Sequence, residues 1–84
     1  SLEKHVPAVT VEGNHVHVNI GSIDHPMEPE HYIQFICLVK DAGYEIHPLE
    51  PGEAPSTDFY LGEGEAPREV YEFCNLHGLW KTDL

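Results

Sequence analysis

The sequence predicts an all-β fold, a two-sheet sandwich of about seven short antiparallel strands. Three observations lead there: Pro and Gly recur at short intervals, β-branched and aromatic residues fill the stretches between them, and no stretch keeps a helical period. The clearest strand is 15–20, where Val16, Val18 and Ile20 alternate with His15, His17 and Asn19, so that one face is apolar and the other polar. Residues 32–39 are apolar on both sides, with Ile33, Phe35, Cys37 and Val39 on one face and Tyr32, Gln34, Ile36 and Leu38 on the other, as expected of a central strand. Asp41, Ala42 and Gly43 then make a short turn, and residues 44–49 return antiparallel. A loop rich in Pro and Gly follows at 50–55, and strands at 6–11, 57–61, 69–73 and 79–82 complete the set. This spacing favours a sandwich, although alternation alone leaves strand order and a barrel open.

Composition narrows the function. Fifteen acidic residues against four basic ones give a net charge of -11, which disfavours nucleic acid and anionic membranes as partners. No apolar run approaches the roughly 20 residues a membrane helix needs, and the start does not resemble a signal peptide. A soluble single domain over residues 1–84, without internal repeat or linker, is the expectation. Two cysteines, Cys37 and Cys74, are too few for a disulfide framework, which points to a reducing, cytoplasmic location. Cys37 sits in an apolar stretch and reads as a small packing residue.

Seven histidines outnumber the four lysines and arginines, and three clusters hold the informative ones. These are EKHVP at residues 3–7, HPMEPEHYI at 25–33 and CNLHGLWK at 74–81. Cys74 and His77 are two residues apart, so a tight turn ending at Gly78 can aim a thiolate and an imidazole at one ion. His25 and His31 bracket two prolines, which stiffen the segment and reduce the entropy lost when both rings are fixed. His15, His17 and His47 lie outside these clusters and read as surface or hydrogen-bonding residues. Met27, Tyr32 and Trp80 read as packing.

Taken in order, EKHVP, HPMEPEHYI and CNLHGLWK resemble the superoxide reductase family, which includes neelaredoxin and the iron domain of desulfoferrodoxin, across nearly the whole chain. The resemblance implies an immunoglobulin-like β-sandwich holding one non-haem iron that cycles between Fe(II) and Fe(III). It assigns His5, His25, His31 and His77 to an equatorial plane and Cys74 to the axis, leaving a sixth position for superoxide. It also implies that Glu3 takes that position in the resting ferric state, and that Lys4 attracts the anionic substrate. The implied reaction is one-electron reduction of superoxide to hydrogen peroxide without release of oxygen. The chain has no flavin or nicotinamide fingerprint, so a rubredoxin-like electron carrier is the implied donor. Two other readings stand beside this one: an iron module that only transfers electrons, and a structural sandwich holding zinc. Sandwich edges also suggest a symmetric homo-oligomer.

Overall fold

A computed structural model describes residues 2–84. A single helical turn, α1 (Leu2–His5), opens the chain, and seven strands follow: β1 (Pro7–Glu12), β2 (His15–Ile20), β3 (Ile33–Lys40), β4 (Gly43–Pro48), β5 (Ser56–Tyr60), β6 (Pro67–Cys74) and β7 (Gly78–Asp83). All seven expected strands are present within two residues of their expected ends. The helical turn is not foreseen by the sequence, because four residues are too short to display a period.

The strands form two antiparallel sheets, ordered β1-β2-β5 and β4-β3-β6-β7. Three strands face four, and the chain changes sheet after β2, β4 and β5, which is an immunoglobulin-like arrangement. Val16, Val18 and Ile20 of β2 meet Ile36 and Leu38 of β3, Phe59 of β5 and Val70 of β6 between the sheets. Each is fully buried, and burial of each such side chain contributes about 1.5–3 kcal/mol, so this layer dominates the apolar stabilisation. His47 ties the sheets across the layer. Its Nε2–H donates to the Glu45 carboxylate at 2.7 Å, its Nδ1 accepts from the Thr57 hydroxyl at 2.8 Å, and its ring stacks on Phe59 at 4.1 Å.

β3 corrects the face assignment expected from strict alternation. Ile33 pairs with Cys74 but Phe35 pairs with Phe73, so β3 spends one more residue than β6 over this step. This bulge turns the strand by one position. Ile33, Ile36 and Leu38 are therefore all fully buried, whereas Phe35 lies outside and stacks on Phe73 with centroids 5.9 Å apart. Cys37 shares that outer face; it and Cys74 are both free thiols.

The topology places five chain segments at one end of the sandwich. They are the turn before β1, the 21–25 loop leaving β2, the segment entering β3, the end of β6 and the turn into β7. All three histidine clusters fall on these segments.

Candidate metal centre

His5 closes α1, and backbone bonds fix that turn. Val6 N donates to Leu2 O, Gly21 N to Val6 O and Ile23 N to Glu3 O, at 3.0, 3.1 and 3.0 Å. Gly21 is the contact point. Its φ is +84°, and a Cβ there would stand 2.5 Å from Ile23 O, 2.6 Å from Glu3 O and 2.8 Å from the Lys4 carbonyl carbon, so only glycine fits. Glu3 and Lys4 ride on this turn with exposed side chains, while His5 points inward and is buried.

His31 enters by a different device. Glu28 N donates to His31 O and His31 N to Glu28 O, a reciprocal pair at 2.9 and 3.0 Å that closes the turn through Pro29 and Glu30. Met27 packs against the core, and its sulfur accepts from Ile33 N at 3.4 Å. Asn75 then joins this segment to the turn after β6. Its Oδ1 accepts from Tyr32 N at 2.9 Å, its Nδ2 donates to Glu30 O at 3.0 Å, and its own N donates to Tyr32 O at 3.2 Å. Asn75 is thus bonded on both sides of His31 and is adjacent to Cys74.

These segments bring the four imidazoles into a closed circuit. Ring centroids are 4.7 Å apart for His5 and His25, 4.7 Å for His25 and His31, 5.1 Å for His31 and His77, and 4.9 Å for His77 and His5. Each ring meets the next edge to face, at 70° to 85°. His5, His25, His31 and Cys74 each offer a donor atom within 4.8 Å of the other three. His77 is not in that tighter set; it is exposed and closes the circuit from the solvent side.

Protonation and burial favour a cation here. The Nδ1–H of His25 donates to Pro26 O at 2.7 Å, which leaves Nε2 as a lone pair 3.2 Å from His5 Nε2 and 3.5 Å from Cys74 Sγ. Burial holds the His25 pKa below its ordinary value. The bond to Pro26 opposes that fall, and the neighbouring histidines add to it. His31 Nε2 is buried with no hydrogen-bond partner, a cost that coordination would remove. An orphaned nitrogen, a lone pair aimed at its neighbours and a fully buried thiol make a donor set that fits a transition-metal ion.

Three further residues escaped the sequence reading. Trp80 stacks on His5 with centroids 4.9 Å apart, and its Nε1–H donates to His77 O at 3.1 Å, so it positions two rings of the circuit. Its place in CNLHGLWK is the available signal, although the sequence alone reads it as packing. Asn75 stands beside Cys74 in the same motif. Glu72 lies two residues before Cys74 on the inner face of β6, with no exposure and no partner for either carboxylate oxygen. Burial pushes its carboxyl up to about 8.

Fold and donor set together define a metal-binding, immunoglobulin-like β-sandwich. The model for desulfoferrodoxin matches residues 1–83. The desulfoferrodoxin of Clostridium acetobutylicum is 44% identical over 82 residues, covering 98% of this chain and 63% of that protein. The chain therefore spans less than two thirds of that relative's length. Among solved structures, the superoxide reductase from Treponema pallidum superposes with a TM-score of 0.93 at 45% identity, covering 98% of this chain and 67% of that one. The superoxide reductase (1Fe-SOR) from Giardia intestinalis gives 0.82 at 31% identity, covering 98% and 97%. The chain belongs to the desulfoferrodoxin family.

Proposed function

We propose that this chain is the catalytic unit of a superoxide reductase: one superoxide, one electron and two protons give one hydrogen peroxide. The observation that carries the reading is the circuit of four imidazoles with the Cys74 thiol 3.5 Å from His25 Nε2. His5, His25, His31, His77 and Cys74 would hold one iron, for which nitrogen donors with a single thiolate are well suited. Iron bound there supplies the reversible one-electron step. The Cys74 thiolate would add electron density to that iron, and Trp80 and Asn75 keep its partners in place.

Charge supports the choice of substrate. The chain has four basic residues. Lys40 pairs with Glu65, Arg68 with Asp41, and Lys81 with Glu69 and Asp83. Among the described residues Lys4 alone has no carboxylate partner, and it directly precedes His5. At physiological ionic strength charges beyond about 8 Å are largely screened, so a free lysine at the mouth outweighs scattered carboxylates for a small anion. Glu3, on the same exposed turn, is the carboxylate that would bind the ferric ion at rest. The residues 1–84 act in this reading as one domain. Its electron donor is a rubredoxin-like carrier, and its setting is the cytoplasm, where free Cys37 and Cys74 stay reduced. Tyr44, Ile46 and Leu79, exposed on the outer face of the four-stranded sheet, favour a homo-oligomer.

Rapid mixing of iron-loaded protein with superoxide tests the reading. Peroxide should form without oxygen, and Lys4→Ala should slow the second-order step severalfold at low salt and flatten its salt dependence. Oxygen release during turnover, or protein that retains only zinc and leaves superoxide untouched, would overturn it.

A further inference from the structure

A second histidine cluster lies on the outer face of the three-stranded sheet, away from the end that gathers Cys74. His15 and His17 are two apart on β2 and so project from the same face, and Asp58 stands directly across from His17 on β5. One carboxylate oxygen, Asp58 Oδ1, accepts from both rings: from His15 Nε2 at 2.8 Å and from His17 Nδ1 at 2.7 Å. Tyr60 stacks on His15 at 5.1 Å and limits where that ring can turn. Each of the three residues offers a donor atom within 4.8 Å of the other two.

We propose that His15, His17 and Asp58 form a second metal site, selective for zinc-like divalent ions. Two nitrogens and one carboxylate oxygen suit zinc or copper(II) far better than magnesium or calcium, which prefer all-oxygen shells. In the metal-free state both rings spend an N–H on Asp58. An ion taking the position between them needs those same nitrogens as lone pairs, so each ring moves its proton to its other nitrogen. The side chains of His15 and His17 are 35% and 44% exposed, so water can carry that exchange. Glu12 pairs with His15 from β1 and adds negative charge on the same face, within a chain whose net charge is already -11. Three protein donors at an exposed site leave the remaining coordination to water, the arrangement of an open zinc site.

Zinc titration of the iron-loaded chain tests this, with the first centre filled so that it does not compete. One further equivalent of zinc is expected. His17→Gln and Asp58→Asn should each weaken it at least tenfold while leaving the iron absorption spectrum unchanged. On the unmodified iron-loaded chain, substoichiometric copper(II) should broaden the amide resonances of β2 and β5 around His15, His17 and Asp58 first. Absence of that zinc equivalent, parental affinity in both variants, or copper broadening that spares β2 and β5 would each overturn the proposal.

Discussion

The two histidine clusters share ligand chemistry and differ in everything that surrounds it. At the closed end of the sandwich, His5 and Cys74 are buried, His25 is locked by Pro26, and His31 Nε2 has no protein partner. On the open face, His15 and His17 are partly exposed and already satisfied by Asp58. Their carboxylates differ in the same sense. The bonds from His17 and then His15 draw the Asp58 carboxyl below its ordinary value, whereas burial without a partner drives the Glu72 carboxyl above it. Donor identity therefore does not decide what a cluster is for. A buried donor left unsatisfied by the protein commits the fold to an ion, because no water compensates it. An exposed, hydrogen-bonded cluster merely permits one.

The largest expected effect tests that commitment at its single sulfur. Cys74→Ser should lower superoxide reduction to the background rate while four imidazoles still retain a divalent ion. Metal analysis beside rapid mixing checks this, and near-parental turnover by a metallated Ser variant would contradict it.

Removing the metal comes next. Binding restricted to the native state contributes about 4 kcal/mol at a thousandfold excess over Kd, so loss of the interior ion should lower the melting temperature by more than about 10 °C. Emptying the proposed surface site should move it far less. Equal melting temperatures for iron-loaded and metal-free protein would erase the distinction between the clusters.

A smaller effect is expected where the ligands themselves are untouched. Asn75→Ala removes the side-chain bonds to Glu30 and Tyr32 on either side of His31, and should weaken metal binding about 10- to 100-fold with the fold retained. Metal competition against a chelator reads this directly. An unchanged affinity would mean that the His31 segment is held by its own turn and the Ile33 contact to Met27.

The smallest expected effect concerns Glu72. Its folded-state pKa of about 8 lies above the ordinary value of 4.5, so between those values the native state holds a proton that the unfolded state has released. Stability from this group is then full below about pH 4.5 and is lost as pH rises toward 8. Glu72→Gln removes that slope and should be more stable than the parent at pH 8 by about 1–3 kcal/mol, with little difference at pH 4.5. Denaturant melts at the two pH values test the sign; a gap of the same size at both would show that the carboxyl ionises normally.

Much of this was legible in the residues, for reasons that also mark the limits. β2 was read at its true ends because Val16, Val18 and Ile20 alternate without interruption. β3 reads as a central strand with Ile33 on the same face as Phe35 and Cys37, since alternation cannot show that Gln34 is an extra residue in the ladder and that Ile33 therefore shares the face of Ile36 and Leu38. The CxxH spacing indicated a local chelate, but the meeting of His5, His25 and His31 with Cys74 depends on topology, and only the combined motifs pointed to it. Asn75 and Trp80 act through backbone carbonyls and ring faces, which leave no periodic trace. Glu72 occupies an inward position where the pattern calls for an apolar residue, and no local feature of the sequence marks it as fully enclosed.

Gly21 carries a consequence for how such a site can change over time. The turn bearing Glu3, Lys4 and His5 rests on a residue with no side chain, and backbone bonds hold it there. A methyl group at that point would lift the whole turn, taking His5 and Lys4 with it although neither had been altered. On the proposed function, ion binding through His5 and substrate attraction through Lys4 then depend together on one residue that contributes no side chain to either, and Gly21→Ala should weaken both at once.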